Sequence, residues 1–348
     1  MAQDDIRIAC EPLKAFTATV FERAGLPHGD AEIEADVLLW ANLRGVDSHG
    51  VLRIPSYLDM VDRGYMNPKP DIRIEKETPA ILFVEADRAF GPVVTTFTMV
   101  KAMQKAKNVG IGWGLIRNLT HQGAMGYYAL MAAHEDMVGI AIVCSPPNMA
   151  PYGAKAAGLH NSPIAVGVPA KRHLPLNLDM ATSVAAGGKL TLAQDKGVPL
   201  GEGWALDANG VPTTDAHLAQ ILLPAGGPKG SGLALIFQCL TSLMANNPLL
   251  TPVLNGKEKS HNQNSVVAAI DIGLFTDVET YKTQVDDLID ALKVLPKADG
   301  HDDILMPGEP ENNVLADRSA NGIPLPPGTV QKLRDVSKRL DIPLPEGL

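Results

Sequence analysis

Gly110-Ile111-Gly112-Trp113-Gly114-Leu115-Ile116-Arg117-Asn118-Leu119-Thr120-His121-Gln122-Gly123-Ala124-Met125-Gly126-Tyr127-Tyr128 is the stretch that decides the kind of fold this chain adopts. Residues Ile111 to Ile116 form an apolar run, the pattern of a buried strand, and Tyr127 to His134 follows with helical spacing. Strand, loop and helix in this order are the unit of α/β architecture, and the loop between them is where such proteins place ligand-contacting groups. The glycines at 110, 112 and 114 open a strand and lack the second spacing of the dinucleotide fingerprint, which opens a helix instead. Standard Rossmann binding is therefore unsupported. His121 lies in the loop, and Gly123 and Gly126 leave room for a ligand to approach the backbone. Capping of the following helix is the alternative role for His121 on this segment alone.

Outward from this stretch the alternation continues. The spacing predicts a helix over Val93 to Asn108, strands over Ala80 to Ala86, Val138 to Cys144, Ile164 to Val168, Leu176 to Leu178 and Val266 to Ile270, and a helix from Ser183. A polar, turn-rich stretch runs from Gly197 to Thr214, the longest helical signal covers Ser231 to Ala245, and Val278 to Leu292 is amphipathic. The Pro- and Gly-rich stretch Met306 to Gly328 is expected as loop before a last helix, Thr329 to Leu340. Residues 11 to 64 read instead as helices: Leu13, Phe16, Val20 and Phe21 share one face, Gly25 and Pro27 break the run, and Asp30 is placed to cap the next segment, through Arg44. From Asp71 the period changes to alternation at Ile72 and Ile74, which puts a boundary near residue 70.

Composition narrows the function classes. At 348 residues the chain has material for two or three domains, and its 45% hydrophobic and 20% charged residues describe an ordinary soluble protein. A net charge of -9 without any basic stripe argues against a nucleic-acid partner. The apolar runs Met137 to Cys144 and Leu233 to Leu243 fall short of the ~20 residues that span a bilayer, so no membrane role is expected. The polar, acidic stretch Met1 to Ile8 lacks the order of a signal peptide, and Cys10, Cys144 and Cys239 are widely spaced in apolar surroundings; both point to a reducing cytoplasm. The nine histidines show no zinc spacing, and no metal site is expected.

Three further segments carry candidate chemistry. In Asp47-Ser48-His49-Gly50-Val51-Leu52-Arg53, a helix starting near Ser48 would be capped by its hydroxyl and would put His49 and Arg53 on one face. An Arg fork clamps a carboxylate, and an imidazole exchanges the proton of a neighbouring carbonyl or hydroxyl; a capped surface turn is the bland alternative. Asp179 closes an apolar strand, where a carboxylate accepts hydrogen bonds from a ribose or an amide, or serves only as a helix cap. Gly226-Gly227-Pro228-Lys229-Gly230-Ser231-Gly232 offers several backbone N–H groups and a Lys to an anion, although its spacing departs from the Walker pattern and a plain turn is the alternative.

Taken in order, Asp47-Ser48-His49-Gly50 with Arg53, Thr120-His121-Gln122-Gly123-Ala124 with Gly126-Tyr127-Tyr128, Asp179-Met180-Ala181-Thr182, Gly226-Gly227 with Lys229-Gly230, and Pro307-Gly308-Glu309 resemble the NAD(P)-dependent malate/L-lactate dehydrogenase family that is unrelated to the Rossmann type. Its members include ureidoglycolate and sulfolactate dehydrogenases and cyclic imino-acid reductases. The resemblance implies an α/β fold with an N-terminal helical domain, 1–70, completed by 300–348, and a mixed-sheet cofactor- and substrate-binding region over 71–299. It further implies a homodimer with active sites near the interface. Ser48 would orient His49, His49 or His121 would exchange the substrate proton, and Arg53 would hold the carboxylate of a small acid. Ser145, Asp179, Met180, Ala181, Lys229, Gly230, Gly308, Glu309, Pro310 and Glu311 match cofactor-contacting positions, with NAD expected before NADP. Imino-acid-reducing members carry an acidic residue where this chain has Lys189, which favours a 2-keto or 2-hydroxy acid over a cyclic imine. A non-catalytic nucleotide- or small-acid-binding protein is the reading from a different class.

Overall fold

A computed structural model describes residues 6–348, except for the side chains of Leu192, Asp195 and Lys196; Met1–Asp5, most of the acidic N-terminal stretch, lie outside the described residues. The chain opens with β1 (Ile6–Ile8), α1 (Cys10–Arg23) and α2 (His28–Leu43), then makes two 3-10 turns, Asp47–His49 and Val51–Arg53, before α3 (Ile54–Asp62). Next come β2 (Arg73–Glu77), β3 (Ile81–Glu85), α4 (Gly91–Val109), β4 (Ile111–Leu119), α5 (Gly126–Ala133), β5 (Met137–Cys144), β6 (Ile164–Val168), β7 (Leu176–Met180) and α6 (Gly187–Lys196). Short strands β8 (Ala205–Leu206), β9 (Pro212–Thr213) and β10 (Ile221–Leu222) form a separate small sheet. Then follow α7 (Pro228–Gln238), which runs into a π turn at Cys239–Leu243, α8 (Thr251–Leu254), β11 (Gln263–Asp271), α9 (Val278–Lys293), α10 (Glu309–Asn321), β12 (Ile323–Leu325) and α11 (Pro327–Leu340).

The seven-stranded sheet has the order β2-β3-β4-β11-β5-β6-β7. Only β3 and β4 run parallel; every other neighbouring pair is antiparallel. This mixed sheet is not a doubly wound parallel fold. Its glycines serve packing: a Cβ on Gly112 would lie 1.8 Å from the Ala102 carbonyl oxygen of α4, and one on Gly139 of β5 2.2 Å from that of Ala129 in α5. Two helices thus sit close on one sheet face, where Met99, Tyr128, Ala129, Ala141 and Val267 are buried together.

A second core lies among the helices. Leu13, Phe21, Leu38, Ile54 and Tyr57 pack with Ile323, Leu325, Val330 and Leu333, and β1 pairs antiparallel with β12 through Ile6↔Leu325. The last 25 or so residues therefore complete the core that the first helices begin.

Several expectations need correction. Met306 to Gly328 is not a loop: the span Glu311 to Asn321 contains neither Pro nor Gly, Pro310 sits in the first turn where its missing N–H costs nothing, and Gly308 and Gly322 bound the helix with positive φ. No helix starts at Ser48, because Gly50 is extended between the two 3-10 turns. Asp30 is in the first turn of α2 rather than at its cap, which is Pro27, and α6 starts at Gly187, four residues after Ser183. The longest helix among the described residues is α4, with 19 residues, while the Ser231 to Ala245 signal is cut by the π turn. No helix is long and apolar enough to cross a membrane among the described residues.

Candidate active site

The His49 segment is held from three sides. Asn42 on α2 donates to Asp47 Oδ1 at 2.7 Å and accepts the Val51 N–H at 2.8 Å. Arg318 on α10 grips both Asp47 oxygens, at 2.6 and 3.0 Å, a two-point contact that fixes direction as well as distance. Gly50 is obligatory, since a Cβ there would lie 2.1 Å from Asn42 Oδ1. Within this frame Ser48 Oγ meets His49 Nδ1 at 2.9 Å, and Arg53 Nε donates to the Ser48 carbonyl at 2.6 Å. The two guanidinium NH2 groups of Arg53 have no protein hydrogen-bond partner among the described residues. The helical i, i+4 pairing expected for His49 and Arg53 is replaced by this folded turn, and Ser48 contacts the imidazole instead of capping a helix.

His121 arrives from the sheet. Thr120 anchors the loop after β4 by donating through both its N–H and its Oγ to the Ala89 carbonyl, at 3.2 and 2.8 Å. His121 does not cap α5; its Nδ1 accepts the Gly123 N–H at 3.2 Å and lies 2.6 Å from the Tyr57 hydroxyl. A backbone N–H is always a donor, so Nδ1 carries the lone pair, Tyr57 donates as well, and the ring's own proton is on Nε2. The His49 and His121 rings stack with centroids 5.3 Å apart and 25° between their planes.

A third imidazole joins them. The register places the last residues of β4 and β5, the entry to β6 and the end of β7 at one edge of the sheet: Leu119 pairs with Gln263, Asn264 with Cys144, Ile142 with Ile164 and Ile164 with Met180. His160, in the segment entering β6, thus faces the region of His121. Burial pushes His49 down to about 4, with Arg53 beside it acting in the same direction, and pushes His160 down to about 3. His121 is lowered well below the ordinary histidine range by burial, then by Arg53, His49 and His160. All three residues stay partly accessible while protein around them desolvates their rings, the setting of a recess rather than of a dry core.

The neighbouring edge gathers the remaining segments. Asp179, on β7, accepts the Gly126 N–H at 2.7 Å and so caps α5 across the fold; burial raises its carboxyl to about 6, opposed by that bond, and Glu311 nearby raises it further. Pro307 accepts the Asn177 N–H at 3.0 Å, and a Cβ on Gly308 would lie 3.0 Å from Asn177 Cβ, so the 307–311 loop lies on β7. Glu309 is engaged elsewhere, by Lys293 at 2.7 Å and by the Met306 N–H at 2.9 Å. Ala225 donates to the Thr182 carbonyl at 2.9 Å, which brings the Lys229 loop to the end of the strand that carries Asp179 and Met180, beside Ala181. The amides expected to converge on an anion there are spent inside the turn: those of 227, 229, 230 and 231 donate to Pro224, Gly226, Ala225 and Gly227. Gly230 is buried against the Thr182 carbonyl, and Lys229 stays exposed. Ser145 follows β5 at the same edge. Asn177 Oδ1 and Thr182 Oγ1 are buried without a protein partner, which suits a ligand rich in hydroxyl, amide and phosphate groups.

Tyr57, Asn42, Arg318 and His160 were missed from sequence. Tyr57 reads as a core aromatic on α3, Arg318 lies in a stretch read as loop, and His160 sits in a short polar segment without periodicity. No cluster of three His, Cys, Asp or Glu side chains is arranged to hold a metal ion among the described residues.

Comparison with known proteins bears on this arrangement. The family model described as malate/L-lactate dehydrogenase matches residues 8–334. The L-sulfolactate dehydrogenase of Methanocaldococcus jannaschii is 37% identical over 94% of this chain and 96% of its own length. The malate dehydrogenase of Pyrococcus horikoshii is 36% identical over 99% of this chain and 97% of its own. Among solved structures, malate dehydrogenase from Entamoeba histolytica superposes with a TM-score of 0.93 at 29% identity, covering 98% of this chain and 99% of that one. With a family match over most of its length and relatives this similar from end to end, the chain belongs to the malate/L-lactate dehydrogenase family and is a dehydrogenase of that family.

Proposed function

We propose that this enzyme moves a hydride between the nicotinamide of NAD or NADP and C2 of a small 2-hydroxy or 2-keto carboxylic acid. The observation that carries the reading is the stack of His49 on His121 beside a guanidinium whose two NH2 groups are unpartnered. The nicotinamide cofactor, when bound, supplies the hydride acceptor or donor, and everything else falls to the chain. Arg53 holds the substrate carboxylate in two-point geometry. His121, neutral with its proton on Nε2, donates a hydrogen bond to the C2 oxygen as negative charge develops there. His49 exchanges the proton: Ser48 Oγ accepts from Nδ1–H, which leaves the Nε2 lone pair to take the hydroxyl proton in the oxidative direction. A carboxylate docked on Arg53 cancels part of the charge that depresses His49, so its proton affinity rises toward neutrality when substrate is in place.

Lys229, the Asp179–Ala181 segment, Ser145 and the Gly308–Glu311 loop are the residues we assign to the cofactor, with Glu309 and Gly230 shaping their loops rather than reaching the ligand. The unpartnered Asn177 and Thr182 oxygens support this placement. We further infer a homodimer: Leu235, Ile236, Leu243 and Met244 leave a row of apolar side chains, each at least half exposed, on α7 and its π turn.

A panel of 2-keto and cyclic 2-imino acids, each tested with NADH and NADPH, checks the reading. Turnover of a 2-keto acid is expected, with a strongly lowered kcat but unchanged cofactor affinity in His49→Ala. Turnover confined to the imines would replace the substrate class, and none at all would leave a binding protein.

A further inference from the structure

The recess holds one imidazole more than the reaction at C2 uses. His49 and His121 suffice for the C2 oxygen, and Arg53 takes the C1 carboxylate. His160 Nδ1 lies 3.3 Å from Ser162 Oγ, and that hydroxyl also meets Cys144 Sγ at 3.1 Å, so the ring is propped from the sheet side. Its Nε2 has no protein partner among the described residues and is not among the buried unpartnered atoms, so it stays accessible at the sheet edge that also carries His121. The ring is close enough to His121 to act on it electrostatically. A substrate fixed at C1 by Arg53 and at C2 by the stacked pair has one remaining direction, along its C3 substituent.

We propose that His160 is a specificity-determining residue whose Nε2–H hydrogen-bonds an oxygen-bearing polar group carried on C3 of the substrate, such as a carboxylate, sulfonate or amide. The inference rests on the 2-hydroxy acid reading and adds the class of side chain. With Ser162 Oγ–H donating to Nδ1, the proton of the neutral ring stands on Nε2, and a ring kept uncharged by burial acts there as a donor rather than as a second cation. An acid with only an alkyl group at C3 would leave this donor unsatisfied, which selects against it.

The test compares pyruvate with oxaloacetate, alike at C1 and C2 but differing by a carboxylate on C3, using the full-length protein with saturating reduced cofactor. Wild type, His160→Ala and His160→Gln are assayed for kcat/KM on each, and cofactor dissociation constants are measured alongside. We expect the oxaloacetate-to-pyruvate ratio to fall about 10- to 100-fold in His160→Ala, as for loss of one hydrogen bond to a charged acceptor, and to recover in part in His160→Gln, whose amide also donates. Pyruvate turnover and cofactor affinity should stay near wild type. Parallel loss with both substrates, an unchanged ratio, or a weakened cofactor would overturn the assignment while leaving the 2-keto acid reading intact. If wild type turned over neither these nor any other 2-keto acid, the reading and this inference would fall together.

Discussion

Removing one oxygen tests how His121 is held. In Tyr57→Phe the ring stays, and with it the packing against Phe21 and Phe90, whose centroids lie 6.3 Å away in both cases. What is lost is the hydroxyl that donates to His121 Nδ1 at 2.6 Å. A buried neutral hydrogen bond contributes about 0.5–1.5 kcal/mol, and Nδ1 keeps the Gly123 N–H at 3.2 Å, so the imidazole is loosened rather than stripped. At about 1.4 kcal/mol per decade, kcat/KM for 2-keto acid reduction should fall roughly 2- to 13-fold. Donation to the Nδ1 lone pair stabilises the neutral ring, so its loss raises the pKa of His121 from its depressed position. Steady-state kinetics from pH 5 to 9, with thermal unfolding as a control for folding, read both effects. Wild-type kinetics and an unmoved profile would show that the hydroxyl does nothing for His121. A loss beyond about a thousand-fold would mean that Tyr57 itself exchanges the proton.

The depressed histidines make stability depend on pH. His49 at about 4 and His160 at about 3 lie below the ordinary 6.5 of the unfolded chain, so between those values the unfolded state takes up protons that the fold refuses. Stability is complete above about pH 6.5 and lost as the pH falls toward 4, on the order of 3 kcal/mol for His49 alone; Asp179, raised to about 6, runs the other way and offsets part of it. A thermal midpoint that stayed constant from pH 7 to 4.5 would contradict this. Arg53→Lys should raise KM and lower kcat despite the retained charge, because an ammonium cannot reproduce two parallel hydrogen bonds to a carboxylate; unchanged constants would return Arg53 to a structural role. Lys229→Ala should weaken cofactor binding by about one decade, less at high salt because the side chain is exposed, and equal calorimetric dissociation constants would put the cofactor elsewhere.

What the sequence determined by itself was local. The strand read at Ile111 to Ile116, the helices read at Val93 to Asn108 and Val278 to Leu292, each found within a few residues of those bounds, and the unsuitability of the Gly110–Gly114 run for a dinucleotide turn all follow from side-chain period and glycine spacing, which act within a few residues. The chemistry of Ser48, His49, Arg53 and His121 was legible too, since an imidazole beside a guanidinium has few uses other than handling an acid and its proton. Tertiary structure decided how these groups meet. The insertion of β11 between β4 and β5 comes from a segment over 100 residues later in the chain, and it sets which loops emerge together. The turn carrying His49 is no α-helix, because Asn42 on the preceding helix and Arg318, remote in sequence, out-compete local propensity for its polar groups. α10 forms in a Pro- and Gly-rich stretch because those residues lie at its ends and Arg318 anchors it to Asp47. His160 and Tyr57 gain their meaning only from His121, many residues away. Pairings of this kind leave no periodic trace, because the energy that selects them is realised only when distant segments close on one another.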